Sequence, residues 1–231
     1  DIKKIQDSLD KENPHTPVGF DLPGVKIRIT TAVKKVTRPD HNIIAILPPG
    51  VKGEDVEYVM IGAHYDHLGY NDGSINPKGG NPGRIHNGAD DNASGIAALI
   101  EIARSAATDR SRFPRSLVFV AFAGEERGLL GSKHYANAPV MPLADTVAML
   151  NLDMIGRSRG RVELGGMDTA PTLRADIDAA ARVADINVRR GGPGAGRSDD
   201  SSFVDRRIPA LHFFTGFHDD YHRPSDDWDR V

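Results

Sequence analysis

The 231-residue chain has the length of one ordinary α/β domain, with two small domains the alternative on length alone. Its net charge of -3, with interspersed signs, offers no basic field for nucleic acid. The absence of cysteine excludes disulfides, thiol nucleophiles and thiolate zinc sites, so any metal must be held by His, Asp and Glu.

Residues 1–25 are polar and carry Pro14, Pro17 and Pro23, which reads as an irregular lead-in or the stump of an upstream segment before a single domain. No signal peptide is visible, and Asp1 and Val231 read as the cut ends of a longer precursor. No apolar run approaches the ~20 residues of a membrane span. Alternation of Val25, Ile27 and Ile29 predicts a half-exposed strand over Val25–Val36; Asn42–Leu47 predicts a second and the more apolar Val59–Ala63 a third. Residues 69–88, rich in Gly, Asn and Pro, predict a long loop. Ile96, Leu99, Ile100 and Ala103 then recur at helical spacing after Ser94, a candidate N-cap.

Ser116–Ala123 and Thr146–Leu152 are continuous apolar runs of strand length, as central strands covered on both faces require. Thr172–Ala184 predicts a helix, and Ile186–Arg189 and Ala210–Phe214 further short strands. Strands alternating with helices imply a three-layer αβα fold: a largely parallel mixed sheet with helices on both faces.

The acids and histidines gather at strand C-terminal ends, where open α/β sheets form their sites. His64 and Asp66 follow one strand, Glu125 and Glu126 another and Asp153 a third; Asp90 and Asp91 precede a helix, and His222 lies in a late loop. Each fragment alone has a plainer reading. His-x-Asp-His is a polar loop, Asp90-Asp91 a helix cap, Glu125-Glu126 a helix N-terminus, Asp153 a loop-holding acid and His222 a surface residue. Adjacent carboxylates after an apolar central strand are the least plain, because burying them is costly unless a cation offsets them.

Five segments, in order, resemble the metal-site motifs of the M28 family of zinc exopeptidases. They are Gly62-Ala63-His64-Tyr65-Asp66-His67, Gly88-Ala89-Asp90-Asp91-Asn92-Ala93-Ser94-Gly95, Phe122-Ala123-Gly124-Glu125-Glu126, Asn151-Leu152-Asp153-Met154-Ile155-Gly156 and Tyr221-His222-Arg223-Pro224-Ser225-Asp226. The resemblance implies two zinc ions: His64 and Asp153 on one, Glu126 and His222 on the other, and Asp90 bridging both, with a cis peptide at Asp90-Asp91. It implies Glu125 as general base and Tyr221 as an oxyanion donor, the latter equally readable as a rim aromatic. Asp66 and Asp226 would orient His64 and His222. Arg197 is a candidate substrate contact, or a solvated surface residue. Asp200 stands where many relatives carry His or Tyr. The stretch Gly191–Gly196 lacks phosphate-loop spacing and reads as a rim loop.

The implied activity is an aminopeptidase acting on peptides with apolar first residues, with Phe203, Phe213, Phe214 and Phe217 as candidate pocket lining. The same motifs admit a carboxypeptidase or dipeptidase, or an inactive binding module. A single-zinc glutaminyl cyclase is disfavoured by the second metal set. The family and the cut N-terminus together imply a secreted or periplasmic protein. No His-Glu-x-x-His or Gly-x-Ser-x-Gly is present.

Overall fold

Tyr58-Val-Met-Ile-Gly-Ala-His64 and Ser116-Leu-Val-Phe-Val-Ala-Phe122 are apolar on both alternating sets of residues, so each must be covered on two faces. The computed structural model describes residues 23–26, 28–34, 37–51, 57–70, 83–191 and 198–231. The chain divides into two units, 1–38 and 39–231. The described residues of the first are exposed and carry no strand, so the expected strand at Val25 and Ile29 does not form there.

In the second unit the strands are β1 (Ile43–Leu47), β2 (Tyr58–His64), β3 (Gly69–Tyr70), β4 (Ile85–His86), β5 (Ser116–Phe122), β6 (Thr146–Leu152), β7 (Arg161–Gly165), β8 (Asn187–Arg190) and β9 (Ala210–Phe214). Seven form one sheet in the order β1-β5-β2-β6-β9-β7-β8. Its centre, β5-β2-β6-β9, is parallel, β1 joins β5 antiparallel, and β7 pairs antiparallel with β9. The helices are α1 (Gly95–Thr108), α2 (Leu130–Asn137), α3 (Pro171–Ala184) and α4 (Ser201–Val204).

Alternation along the strands sorts the core into two layers. Tyr58, Met60, Val118, Val120 and Phe122 meet Tyr135 of α2 and Phe203 of α4 on one face. Ile61, Ala63, Leu117 and Phe119 meet Leu99 and Ala106 of α1 on the other. Leu173 and Ile177 of α3 pack over Leu164 and Leu211, joined to the α1 layer through Leu150 and Phe213.

The expected αβα architecture is present, with local differences. The loop at 69–88 begins and ends in a short antiparallel ladder, Gly69 opposite His86. Ser94 stands at the N-cap position of α1 as expected but makes no capping hydrogen bond: its hydroxyl donates to the Asp90 carbonyl, while Asn92 Oδ1 accepts from Gly95 N–H. Helix α2 lacks an apolar stripe because the residues it buries besides Tyr135 are small, Gly131, Ser132 and Ala136.

Candidate metal centre and active site

Because β2, β5, β6 and β9 run in parallel register, their C-terminal ends lie along one edge of the sheet. His64 is the last residue of β2, the Glu125-Glu126 turn follows β5, and Asp153 follows β6. The segment after β9 brings His218, Tyr221 and His222 back over the same edge, where they meet the Ala89–Ser94 turn.

Two donor sets meet at one carboxylate. His64 Nε2 lies 3.3 Å from Asp91 Oδ1 and 3.5 Å from Asp153 Oδ1. His222 Nε2 lies 3.2 Å from Asp91 Oδ2 and 3.3 Å from Glu126 Oε2. Donors on a tetrahedral zinc with bonds of about 2.0–2.1 Å stand about 3.3 Å apart, so all four separations suit two such ions sharing Asp91. His64 Nδ1 faces the Asp66 carbonyl at 3.0 Å, which leaves Nε2 free to ligate; that atom is buried and has no hydrogen-bond partner. The residues present therefore fit zinc: one set is His64, Asp91 and Asp153, the other Asp91, Glu126 and His222, each leaving a position for water.

The shared carboxylate is that of Asp91, whereas the motif reading put Asp90 there. Asp90 faces away: its Oδ1 accepts from Gly156 N–H at 2.8 Å and its Oδ2 lies 3.1 Å from His218 Nε2. The two acids differ by one position in a tight turn, and neighbouring side chains there point to opposite sides. The cis peptide is correspondingly Asp91-Asn92, not Asp90-Asp91. Asn92 ties this turn to β6, its Nδ2 donating to Leu152 O and its Oδ1 accepting from Gly95 and Met154 N–H. Gly95 is required there, since a Cβ would lie 2.6 Å from the Leu152 carbonyl.

The two acids expected to orient the histidines both hold backbone, Asp66 in addition to facing His64. Asp66 accepts from Glu125 N–H (3.0 Å) and Glu126 N–H (3.3 Å), while its carbonyl at 3.0 Å and its Oδ1 at 3.6 Å both face His64 Nδ1. Asp226 Oδ2 accepts from Asp90 and Asp91 N–H (3.0 and 3.1 Å), and its Oδ1 accepts from Arg157 at 2.7 Å. Both carboxylates thus fix the turns that aim Glu125, Glu126 and Asp91. Arg157 also pairs with Asp220, which holds Arg230 and Ser225.

Burial pushes Glu125 up to about 9, with Asp153, Asp199 and Glu126 adding to the push and His64 opposing it. Asp199, buried beside these acids, is raised to about 7, again chiefly by burial. Burial pulls His222 down, but bonds to Asp91 and Glu126 outweigh it and raise it to about 9. Acids held neutral and a histidine held charged mark a pocket short of positive charge, the condition that bound cations relieve.

Tyr221 stacks on His222 with ring centroids 3.8 Å apart. Phe214, Phe217 and Tyr221 form an edge-to-face run, with centroids 5.0 and 4.8 Å apart, leading to His222. Of the expected pocket aromatics, Phe203 is fully buried against Phe122 and Tyr135, and Phe213 packs into the core. Asp200 is buried, 3.4 Å from His212 Nδ1. Arg197 lies outside the described residues, as does the glycine-rich stretch from 192 to 196. Three site residues had no assigned role from sequence: His67, His218 and Arg157. His67 was visible inside His64-Tyr65-Asp66-His67, but nothing in the spacing of His218 or Arg157 marks them.

The model of peptidase family M28 matches residues 42–231. A probable zinc metalloprotease of Pyrenophora tritici-repentis is 38% identical over 161 residues, 68% of this chain and 33% of that protein. Leucine aminopeptidase 1 of Arthroderma otae is 32% identical over 144 residues, 61% of this chain and 35% of that protein. The chain thus spans about a third of the length of these curated relatives. Among solved structures, BSAP, a zinc aminopeptidase from Bacillus subtilis, superposes with a TM-score of 0.64 at 26% identity, covering 82% of this chain and 45% of its own. A Zn-dependent exopeptidase from Parabacteroides distasonis gives 0.67 at 22% identity, covering 82% and 71%, a likeness of fold.

Proposed function

The chain belongs to peptidase family M28, and from that premise we propose that it is a di-zinc aminopeptidase that removes apolar residues from the free N-terminus of peptides. The observation that carries this reading is the placement of Asp91, whose two oxygens face two separate histidines, His64 at 3.3 Å and His222 at 3.2 Å. When bound, the zinc ions supply Lewis acidity that makes water a nucleophile at neutral pH and polarises a carbonyl. The other work falls to the protein. Glu125, aimed by the Asp66 hydrogen bonds to its turn, takes the proton of the attacking water and returns it to the leaving amine. Positive charge among Asp91, Asp153 and Glu126 offsets the carboxylate repulsion on Glu125 and lets it work as a base. Tyr221, packed between Phe217 and His222, would donate to the developing oxyanion, and Phe214 and Phe217 would form an apolar wall for the first side chain.

The test compares leucine p-nitroanilide with its N-acetyl counterpart, using the wild type and Glu125→Ala, with zinc counted on the same samples. The proposal expects cleavage of the free amine alone, and Glu125→Ala should keep its zinc while kcat falls by about 10²–10⁴. Equal cleavage of both substrates overturns the aminopeptidase reading, and cleavage of N-blocked dipeptides alone would assign a carboxypeptidase or dipeptidase.

A further inference from the structure

His67 is a buried histidine beside the second donor set to which neither the family motif reading nor the proposed reaction gives a task. Its side chain is 7% exposed, and its Nδ1 lies 2.7 Å from Glu126 Oε1 and 3.9 Å from Asp91 Oδ2. Nδ1, Nε2 and Oε1 are all buried without a hydrogen-bond partner, so the Nδ1–Oε1 pair has the length of a hydrogen bond but not yet its angle. Glu126 uses its other oxygen, Oε2, toward His222 at 3.3 Å. The two contacts differ in kind. A separation of 2.7 Å is a charge-assisted hydrogen-bond length, well inside the about 3.3 Å between two ligands of one tetrahedral zinc. His67 therefore suits a donor to Glu126 better than a further ligand.

The ring is also held in place. Gly88 lies against it in a left-handed conformation (φ 68°), and a Cβ there would fall 2.5 Å from His67 Cγ. On another side the ring meets His222 edge to face, with centroids 5.6 Å apart. The turn that carries Asp91 and the segment that carries His222 thus both close on His67, which in turn faces Glu126. All three residues of the second donor set surround one imidazole.

We propose that His67 is a positioning residue for the second zinc ion: it donates from Nδ1 to Glu126 Oε1 and so commits Oε2 to the metal. This is the histidine–carboxylate–metal relay with the roles of the two side chains exchanged, and partners of this kind are worth 10–100-fold in metal affinity. The inference rests on the two-zinc reading above.

The test titrates zinc into chelator-stripped wild type, His67→Phe and His67→Asn against a chromophoric competitor, with the melting of each apo protein recorded. Phe keeps a ring against Gly88 and His222 but has no donor, whereas Asn restores an N–H near the Nδ1 position. The expected result is two ions in the wild type. In His67→Phe one binding step should weaken by about 10–100-fold while the other is unchanged, and His67→Asn should recover most of the loss. Unchanged binding of both ions in folded His67→Phe overturns the proposal and leaves the two-zinc reading intact. Equal weakening of both steps, or no recovery in folded His67→Asn, also overturns it. A wild type that binds no zinc overturns the two-zinc reading and this proposal together.

Discussion

Replacing Asp226 by Asn tests whether a buried carboxylate, rather than local turn propensity, holds the Asp90-Asp91 backbone. Asp226 is fully buried and accepts from two backbone N–H groups at 3.0 and 3.1 Å and from Arg157 at 2.7 Å. The substitution is isosteric, so it leaves no cavity, but it removes the charge and turns an amide donor toward one of these donors. Breaking a buried ion pair from one side costs about 3–5 kcal/mol. Arg157 keeps Asp220 at 2.8 Å, which places the cost near about 3 kcal/mol. At ~2–4 °C per kcal/mol for a domain of this size, the metal-free protein should melt ~6–12 °C lower. Thermal unfolding of the chelator-treated proteins by circular dichroism measures this. A shift under ~2 °C would show that the turn does not depend on Asp226.

Stability of the metal-free protein should fall as pH rises from about 5 to 9. Glu125 and His222 are each raised to about 9, so their stabilisation is complete below their unfolded-state values and is lost as pH climbs through 9. A melting temperature that is flat or higher at pH 9 than at pH 6 would contradict the shifts. Phe217→Ala should lower kcat/KM for leucyl substrates by about tenfold and much less for alanyl ones, since it removes an apolar wall and no donor. An equal loss on both substrates would move the pocket elsewhere.

The continuous apolar runs at Ser116–Phe122 and Thr146–Leu152 were legible because strands covered on both faces must be apolar throughout. The placement of acids after them located the edge of the sheet where the site forms. The assignment of Asp90 over Asp91 was not decidable from the chain, because Asp90-Asp91-Asn92 offers adjacent carboxylates and only the backbone at the turn decides which faces the histidines. The backbone roles of Asp66 and Asp226 were hidden for a similar reason. Proximity in sequence to His64 and His222 suggested those partners, while the fold brought backbone N–H groups from distant turns. His218 and Arg157 were invisible because their partners, Asp90 and Asp226, lie 128 and 69 residues away. The described residues among 25–36 show the converse, an alternating pattern that forms no strand.

The most direct test of the central claim, a two-zinc centre built on one shared carboxylate, is the zinc content of Asp91→Asn beside Asp90→Asn, each with activity on leucine p-nitroanilide. Asp91 faces both donor sets, so Asp91→Asn should lose at least one ion and activity by about 10²-fold or more. Asp90→Asn keeps an acceptor for Gly156 N–H and should hold both ions. Two zinc ions and undiminished turnover in Asp91→Asn would contradict the account.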